Sequence, residues 1–311
     1  MPVILVPGTR VAGLTVRAHL GSGGTSEVYK VHNPVADRIE ALKILDTEFT
    51  DVEVARTRFE REFEIARALE HPHIVAMYRS GEMTGEVLGP HRGHSALWMT
   101  MQYVEGTTAA VLVPTAHGQV RLPLMLRVLT QIADALDYAH RMDVLHRDVK
   151  PSNILIGHDD EISAVLTDFG IARFLDDTRP VAQNGRIVGS IPYAAPEMLQ
   201  GQQLSTATDV YALACTVVEL VTGRPPFPYP TTFGIVHAHI AGIPPKLSER
   251  RSWIPVAVDS IVAKALAKKP AERYQRCSEF IGLIENALRD VPVPPDSARP
   301  FAWSRFRGRG R

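Results

Sequence analysis

His146-Arg147-Asp148-Val149-Lys150-Pro151-Ser152-Asn153 is the most specific pattern in the sequence. It places a carboxylate, Asp148, five positions before an amide oxygen, Asn153, and Pro151 keeps the residues between them out of a helix. On such a loop, Asp148 can accept a hydroxyl proton while Asn153 binds a metal ion. After a short apolar run, Asp168-Phe169-Gly170 offers a second oxygen ligand suited to Mg²⁺. In this order, the two motifs are far more specific than either one alone.

Two features nearer the start of the chain extend this pattern. The glycine-rich stretch 21–28 lies between two predicted strands, and its glycines let backbone N–H groups approach phosphate oxygens. The same pattern also occurs in plain hairpin turns. Lys43 ends the next predicted strand, and Glu62 shares the apolar face of a charged helix with Phe59. Because an unpaired buried carboxylate is strongly unfavourable, we expect Glu62 to pair with Lys43.

Hydrophobic patterning divides the chain into a β-rich first third and a helical remainder. Period-two alternation predicts strands over residues 11–20, 26–32, 39–45, 74–78 and 97–104. A helix is predicted over 52–70 and a loop over 83–95. Later helices are predicted from Pro123 onward, over 210–220 closed by Gly223, and over 256–267 and 278–288. We therefore expect two lobes that meet at a cleft near residues 103–106.

Composition excludes several classes of protein. The 311 residues include 34 Lys+Arg and 34 Asp+Glu, so no global basic field favours nucleic acid. No stretch of eighteen apolar residues predicts a membrane span, so membrane association is expected only if the parent chain is longer. Cys215 and Cys277 lack metal-ligand spacing and form no disulfide framework, which predicts reduced thiols and a cytoplasmic protein. The Pro- and Arg-rich residues 291–311 are interpreted as a flexible tail.

The ordered motifs resemble the protein kinase signature: a glycine-rich loop, Lys43, Glu62, the His146–Asn153 loop, Asp168-Phe169-Gly170 and Ala195-Pro196-Glu197. The pattern is similar to that of actinobacterial, receptor-type serine/threonine kinases of the Hanks type, and it spans residues 10 to 288. The resemblance implies an α+β, two-lobed kinase fold. Residues 1–104 would form an antiparallel N-lobe sheet with one helix, residues 105–290 a mainly helical C-lobe, and residues 291–311 the tail.

The resemblance also implies a role for each matching residue. Asp148 would be the catalytic base, and Lys150 would steady the γ-phosphate. Lys43 would hold the α- and β-phosphates and pair with Glu62. The expected ligands of Mg²⁺, or of Mn²⁺ in its place, are Asn153 and Asp168. The residues expected to bind ATP are Leu20, Gly21, Gly23, Gly24, Val28, Ala41, Lys43, Met101, Gln102, Val104 and Leu155, with Met101 as gatekeeper and residues 102–104 as hinge.

The implied function is transfer of the γ-phosphoryl group of ATP to serine or threonine hydroxyls of proteins in bacterial signalling. Lys150 and Gly189-Ser190 resemble serine/threonine rather than tyrosine kinases. Two alternatives remain: a nucleotide-binding pseudokinase scaffold, and a small-molecule phosphotransferase of the aminoglycoside-kinase sort. The complete set of catalytic positions argues against the first, and the Ala195-Pro196-Glu197 motif against the second. Family precedent further suggests a weak homodimer through the N-lobe.

Departures from the family pattern yield their own expectations. Ser26 stands where the third glycine would be, and Glu40 stands where valine is usual, so Glu40 is expected to face solvent at a strand edge. Arg273 is the expected ion-pair partner of Glu197.

The segment before Ala195 also departs from the pattern. Ala182 and Asn184 occupy positions where the relatives carry phosphorylatable threonines, so we expect this segment to order without phosphate there rather than through phosphorylation of Thr178. Ser190 is expected to act as an unmodified hydroxyl that bridges Asp148 and Lys150.

Overall fold

The computed structural model of the protein describes residues 5–23, 26–45, 52–83, 96–115, 118–157, 163–169 and 191–294. Within these ranges, no helix is both long enough and apolar enough to cross a membrane.

The N-terminal part is a six-stranded antiparallel sheet with strand order β1-β2-β3-β4-β6-β5. Its elements are β1 (Arg10–Val11), β2 (Leu14–Gly23), β3 (Ser26–Asn33), β4 (Arg38–Leu45), helix α1 (Val52–Arg67), β5 (Met77–Met83) and β6 (Ala96–Gln102). The strand predicted over 74–78 begins later, at Met77, because Ile74 makes only an isolated bridge to Leu166.

Each face of this sheet carries its own apolar cluster. On the face turned away from α1, Leu14, Tyr29 and Val31 pack with strand residues of β4 and β6. On the other face, Leu45 packs against Phe59 of α1 and the neighbouring strand β6. The period of two along each strand therefore determines whether a residue points towards α1 or away from it.

The position of Glu40 differs from the sequence prediction. It was expected at a solvent-facing strand edge, but β4 is an inner strand and the Glu40 side chain is fully buried. Its Oε1 accepts hydrogen bonds from Asn33 Nδ2 at 2.8 Å and from Arg38 Nε at 2.9 Å. Burial acts to raise the pKa of Glu40, but these hydrogen bonds outweigh it and hold the pKa below its usual value. The prediction was wrong because strand order is not visible in a single strand's pattern.

The C-terminal part is mainly helical around one large apolar core. Its helices are α2 (Leu122–Arg141), α3 (Pro196–Leu199), α4 (Thr206–Thr222), α5 (Thr232–Ala241), α6 (Leu247–Arg250), α7 (Val256–Ala265) and α8 (Cys277–Leu288). A small antiparallel sheet joins it to the first part through β7 (Gly106–Thr108), β8 (Ile154–Gly157) and β9 (Ala164–Leu166). An antiparallel sheet followed by a helical lobe is the two-lobed architecture that the resemblance implied.

Helix α4 is the centre of this lobe and explains several predictions. Cys215 is fully buried on it, as expected, and Cys277 is a second buried free thiol. The helix ends at Gly223, whose φ of +83° is the left-handed conformation that glycine adopts readily. Helix α5 was not predicted, because it is apolar nearly all round and leaves Phe233 exposed, so it lacks the periodicity of an amphipathic helix.

The last described residues differ from the flexible tail that was predicted from residue 291. Val291 and Val293 pack against the apolar core of the C-terminal part, and Val291 N–H donates to the Leu288 carbonyl at 3.1 Å. Residues 291–294 therefore continue the packed lobe, because alternate valines still bury apolar surface. Residues 295–311 lie outside the described ranges.

Candidate active site

Asp209 anchors the backbone of the 146–153 loop through hydrogen bonds. It is fully buried on α4, and its carboxylate accepts hydrogen bonds from the backbone N–H groups of His146 and Arg147, each at 2.8 Å. The His140 ring Nε2 lies 2.8 Å from the same carboxylate. Burial acts to raise the pKa of Asp209, but the bond from His140 outweighs it and lowers the pKa. Arg147 has a left-handed φ of +69°, and these bonds stabilise that strained turn.

The role of Asp209 was not predicted from the sequence. The sequence does contain a signal for this role, because Asp209 directly precedes the almost wholly apolar run 210–220. A carboxylate next to such a buried run requires buried hydrogen-bond donors.

Asp148, Lys150 and Asn153 meet in one hydrogen-bonded group on this loop. Lys150 Nζ lies 2.7 Å from Asp148 Oδ2, and Asn153 Nδ2 donates to the same oxygen at 3.0 Å. Asn153 Nδ2 also donates to the backbone carbonyl of Asp148 at 2.8 Å. Asn153 is buried, whereas Asp148 and Lys150 are partly exposed. The buried Asn153 side chain thus anchors a carboxylate and an ammonium group that both remain partly exposed to solvent.

His146 connects this loop to the strand that precedes Asp168. Its Nδ1 accepts a hydrogen bond from the Asp148 backbone N–H at 3.2 Å, so the ring proton must be on Nε2, which lies 2.8 Å from the Thr167 carbonyl. Phe169 packs edge-on against the His146 ring at 4.6 Å between centroids and is itself buried. The two motifs separated in sequence are therefore held side by side.

Lys43 reaches from β4 to Asp168, with 2.7 Å between Nζ and Oδ1. Burial acts to raise the pKa of Asp168, but the charge and hydrogen bond of Lys43 outweigh it, and the charge of Lys150 adds to the lowering. Asp168 adopts a φ of +70°, a further strained position in the site. The backbone N–H of Thr167 donates to the Asn153 carbonyl at 3.0 Å, which places Asp168 beside the 146–153 loop.

In the structure Lys43 pairs with Asp168, and the expected support of Lys43 by Glu62 stays a prediction. Glu62 is buried on α1, on the apolar face that its spacing predicted. Lys43 is itself buried, and the carboxylate within ion-pair distance of it is that of Asp168.

Residues predicted to surround the adenine lie on the α1-facing side of the sheet and on β8. Ala41 pairs directly with Met101 on the neighbouring strand, and both belong to the cluster on that face. Val28 pairs with Lys43 and is half-buried, while Leu155 is half-buried on β8. The pairing partners were not visible in sequence, but the shared face follows from strand alternation.

The remaining described residues that were predicted to bind ATP lie at or near the ends of β2 and β6. Leu20 is 46% exposed at the start of the glycine-rich loop, where Gly21 pairs with Val28. The Gln102 backbone N–H donates to the Ala76 carbonyl at 2.8 Å, and Val104 packs against the cluster that contains Met101. Gly23 ends β2.

The oxygen atoms of Asn153 and Asp168 fit a hard divalent cation. Asn153 donates through Nδ2 to two acceptors, which leaves its carbonyl Oδ1 as a ligand atom. Asp168 pairs with Lys43 through Oδ1, which leaves Oδ2 as a second ligand atom. Carboxylate and carbonyl oxygens are the ligands that Mg²⁺ and Mn²⁺ prefer.

The predicted partner of Glu197 is confirmed. Arg273 forms a two-pronged bond with Glu197, at 2.8 Å from Nη1 to Oε1 and 2.7 Å from Nη2 to Oε2. Both side chains are almost completely buried. Burial acts to raise the pKa of Glu197, but the bonds from Arg273 outweigh it and hold the pKa below its usual value.

Several predicted positions lie outside the described residues: Gly24 and Gly170 of the two glycine-containing motifs, and Thr178, Ala182, Asn184 and Ser190 of the segment before Ala195.

The sequence profile of the family described as "Protein kinase domain" matches residues 14–286. Serine/threonine-protein kinase PknF of Mycobacterium tuberculosis is 39% identical over 296 residues, covering 94% of this chain and 60% of PknF. PknJ of the same organism is 36% identical over 309 residues, covering 94% of this chain and 49% of PknJ. The solved kinase domain of M. tuberculosis PknI has a TM-score of 0.69 and 33% identity, covering 91% of this chain and 100% of that domain.

The chain therefore spans less than two thirds of the length of PknF and of PknJ. The profile match covers most of the chain and contains every motif described above. The family implies ATP and a divalent metal as cofactors and proteins as substrates. The chain belongs to the protein kinase family, in its bacterial Hanks-type serine/threonine branch.

Proposed function

We propose that this chain is an ATP- and Mg²⁺-dependent serine/threonine protein kinase. One observation carries the proposal: Asp148, Lys150 and Asn153 form a single hydrogen-bonded group, and the bond from Thr167 N–H to the Asn153 carbonyl joins it to the strand that leads into the Lys43–Asp168 pair. A proton acceptor, two lysines and two oxygen ligands thereby lie together. Phosphoryl transfer requires this combination of base, cations and metal ligands.

Asp148 is proposed to receive the proton of the substrate hydroxyl. Lys150 and Asn153 both contact its Oδ2, which leaves Oδ1 to accept the hydrogen bond of a serine or threonine hydroxyl. A carboxylate anchored in this way orients the nucleophile and takes its proton as the new O–P bond forms, while the bond between the γ-phosphorus and ADP breaks and ADP leaves. Lys150 stands next to the base and is proposed to stabilise the charge of the transferred group. Positioning and charge neutralisation account for most of the catalysis.

Asn153 Oδ1 and Asp168 are the proposed ligands of Mg²⁺, with Mn²⁺ as the expected substitute. When bound, MgATP would supply the transferable phosphoryl group, and its metal ion would offset part of the phosphate charge. Lys43 is proposed to contact the phosphates and Glu62 to support it from α1. The proposed adenine contacts are Leu20, Val28, Ala41, Met101, Gln102, Val104 and Leu155, with Gly21, Gly23 and Gly24 over the phosphates.

The lobe boundary at residue 104, the end of the C-lobe near 290 and a cytoplasmic location also remain proposals. The boundary agrees with β6 ending at Gln102 and the second sheet beginning at Gly106.

Phosphosite mapping tests the proposed function directly. The chain is incubated with γ-labelled ATP, Mg²⁺ and a generic basic protein, with an aminoglycoside as a parallel acceptor. We expect phosphate on serine and threonine residues of the added protein, and none when Mg²⁺ is chelated. Nucleotide binding without transfer would indicate a pseudokinase, and transfer to the aminoglycoside alone would indicate a small-molecule phosphotransferase.

We also propose weak self-association through the back of the N-lobe, which the resemblance to receptor-type kinases supports. A two-fold symmetric contact would be self-complementary and concentration-dependent. Sedimentation velocity should show a dimer fraction that grows with concentration in the micromolar range. A single monomeric species up to several hundred micromolar would contradict the proposal.

A further inference from the structure

The hairpin that carries the glycine-rich loop has a polar cluster on the side turned away from α1. Along β3, Glu27, Tyr29 and Val31 are buried while the residues between them are half-exposed. Tyr29 and Val31 belong to the apolar cluster on that side, whereas Val28 points the other way, towards the predicted nucleotide positions. Glu27, only 8% exposed, is therefore a carboxylate enclosed behind the loop.

Two donors meet one oxygen of this carboxylate. Ser22 Oγ donates to Glu27 Oε2 at 2.8 Å, and His19 Nε2 lies 2.6 Å from the same atom. Because a carboxylate only accepts, His19 must donate from Nε2. Hydrogen bonds to an ionised acceptor are stronger than those between neutral groups. Ser22 stands between Gly21 and Gly23, so these bonds join the loop to the strands on either side of it.

The cluster is anchored in the core of the N-lobe. The His19 ring lies against the Tyr29 ring, with 5.2 Å between centroids, and Tyr29 is 1% exposed. The Tyr29 hydroxyl in turn accepts a hydrogen bond from the Leu5 backbone N–H at 3.3 Å. The loop is thus tied to a packed side chain rather than to mobile surface groups.

We propose that Ser22, Glu27 and His19 form a clasp that holds the glycine-rich loop in its nucleotide-binding conformation from behind. The inference rests on the proposed function and deepens it: Ser22 and Glu27 are positioning residues for ATP. The Glu27 carboxylate lies on the face opposite Val28 and acts through the loop backbone. Because the clasp already holds the two sides of the loop, residues 21–23 and 26–28, these residues lose less entropy when the nucleotide binds, so the clasp raises affinity. Loss of the clasp should raise the KM for ATP and leave kcat unchanged.

Ser22→Ala tests the clasp at an exposed position. We expect the Kd for MgADP, measured by calorimetry, and the KM for ATP both to rise about three- to tenfold, the effect of losing one favourable hydrogen bond. The kcat should stay within about twofold of the unaltered value. Ser22→Thr keeps the hydroxyl and should restore affinity. Thr15→Val removes a hydroxyl from the same strand, away from the loop, and should change neither constant.

A double variant separates the clasp from direct contact between Ser22 and phosphate. If the clasp operates, the double variant Ser22→Ala/Glu27→Gln should have the same affinity for MgADP as whichever single variant binds MgADP less tightly. Independent, additive losses would overturn the clasp, and so would full affinity in Ser22→Ala. If the unaltered chain binds no MgADP, the proposed function fails and the clasp fails with it. If it binds MgADP normally and all variants match it, only the clasp is overturned.

Discussion

Asp148→Asn should lower the rate of phosphotransfer by about two to four orders of magnitude, the usual contribution of a positioned general base. The amide keeps the size of the carboxylate and can still accept from Lys150 and Asn153, so the loop should remain in place. It cannot take the proton of the attacking hydroxyl. The measurement is the initial rate of labelled phosphate transfer to a protein acceptor at saturating MgATP.

Asp143→Asn is the matched control for this change. Asp143 is exposed and lies in the segment leading to the same loop, so the identical chemical substitution there should leave the rate within about twofold, as expected of a surface position. MgADP affinity should be the same in both variants and in the unaltered chain. An Asp148→Asn variant that keeps more than a tenth of the normal rate would remove the assigned role of Asp148.

Arg273→Leu should lower the free energy of unfolding by about 3–5 kcal/mol, the cost of removing one partner of a buried ion pair. The Glu197 carboxylate would keep Thr208 Oγ1, at 2.9 Å, as a donor but lose both bonds from the guanidinium. Arg273 also donates to the carbonyls of Ala267, at 2.7 Å, and Ala207, at 2.9 Å, and these bonds would be lost as well. Urea denaturation followed by circular dichroism measures the change.

Two comparisons sharpen this result. Arg273→Lys should recover only part of the stability, because an ammonium cannot reproduce the two-pronged guanidinium geometry. Arg251→Leu is the matched control, since the bonds of the Arg251 side chain within the described part of the chain go to the backbone carbonyls of Gly118 and Thr115. It should be the less destabilising of the two leucine variants. Equal losses at positions 273 and 251 would contradict a special role for the Glu197–Arg273 pair.

The same pair predicts how stability responds to acid. The pKa of Glu197 is lower in the folded chain than its usual value, so its contribution is fully present above the usual carboxyl pKa and is lost as the pH falls towards the folded pKa. Arg273→Leu removes the main cause of that lowering. The difference in unfolding free energy between the two proteins should therefore shrink as the pH decreases through this window.

Local sequence patterns determined most of the secondary structure and pointed to the residues of the candidate site. The run 210–220 closed by Gly223 specified α4, because an apolar sequence of that length with a glycine stop has few other solutions. Alternation along β3 and β4 determined which side chains share a face. The motifs around Asp148 and Asp168 identified the candidate acceptor and metal ligands, because their chemistry depends on residue type and short spacing.

Tertiary structure alone decided which distant groups meet. Glu40 is buried because β4 lies between β3 and β6, an order that β4 itself does not encode. Lys43 pairs with Asp168, which lies 125 residues later in the sequence, and Asp209 supports the 146–153 loop from a helix far along the chain. Each of these outcomes depends on the distance between elements separated by many residues. Spacing along the sequence determines which side chains share a face of one element, whereas packing between elements determines which charge each of them contacts.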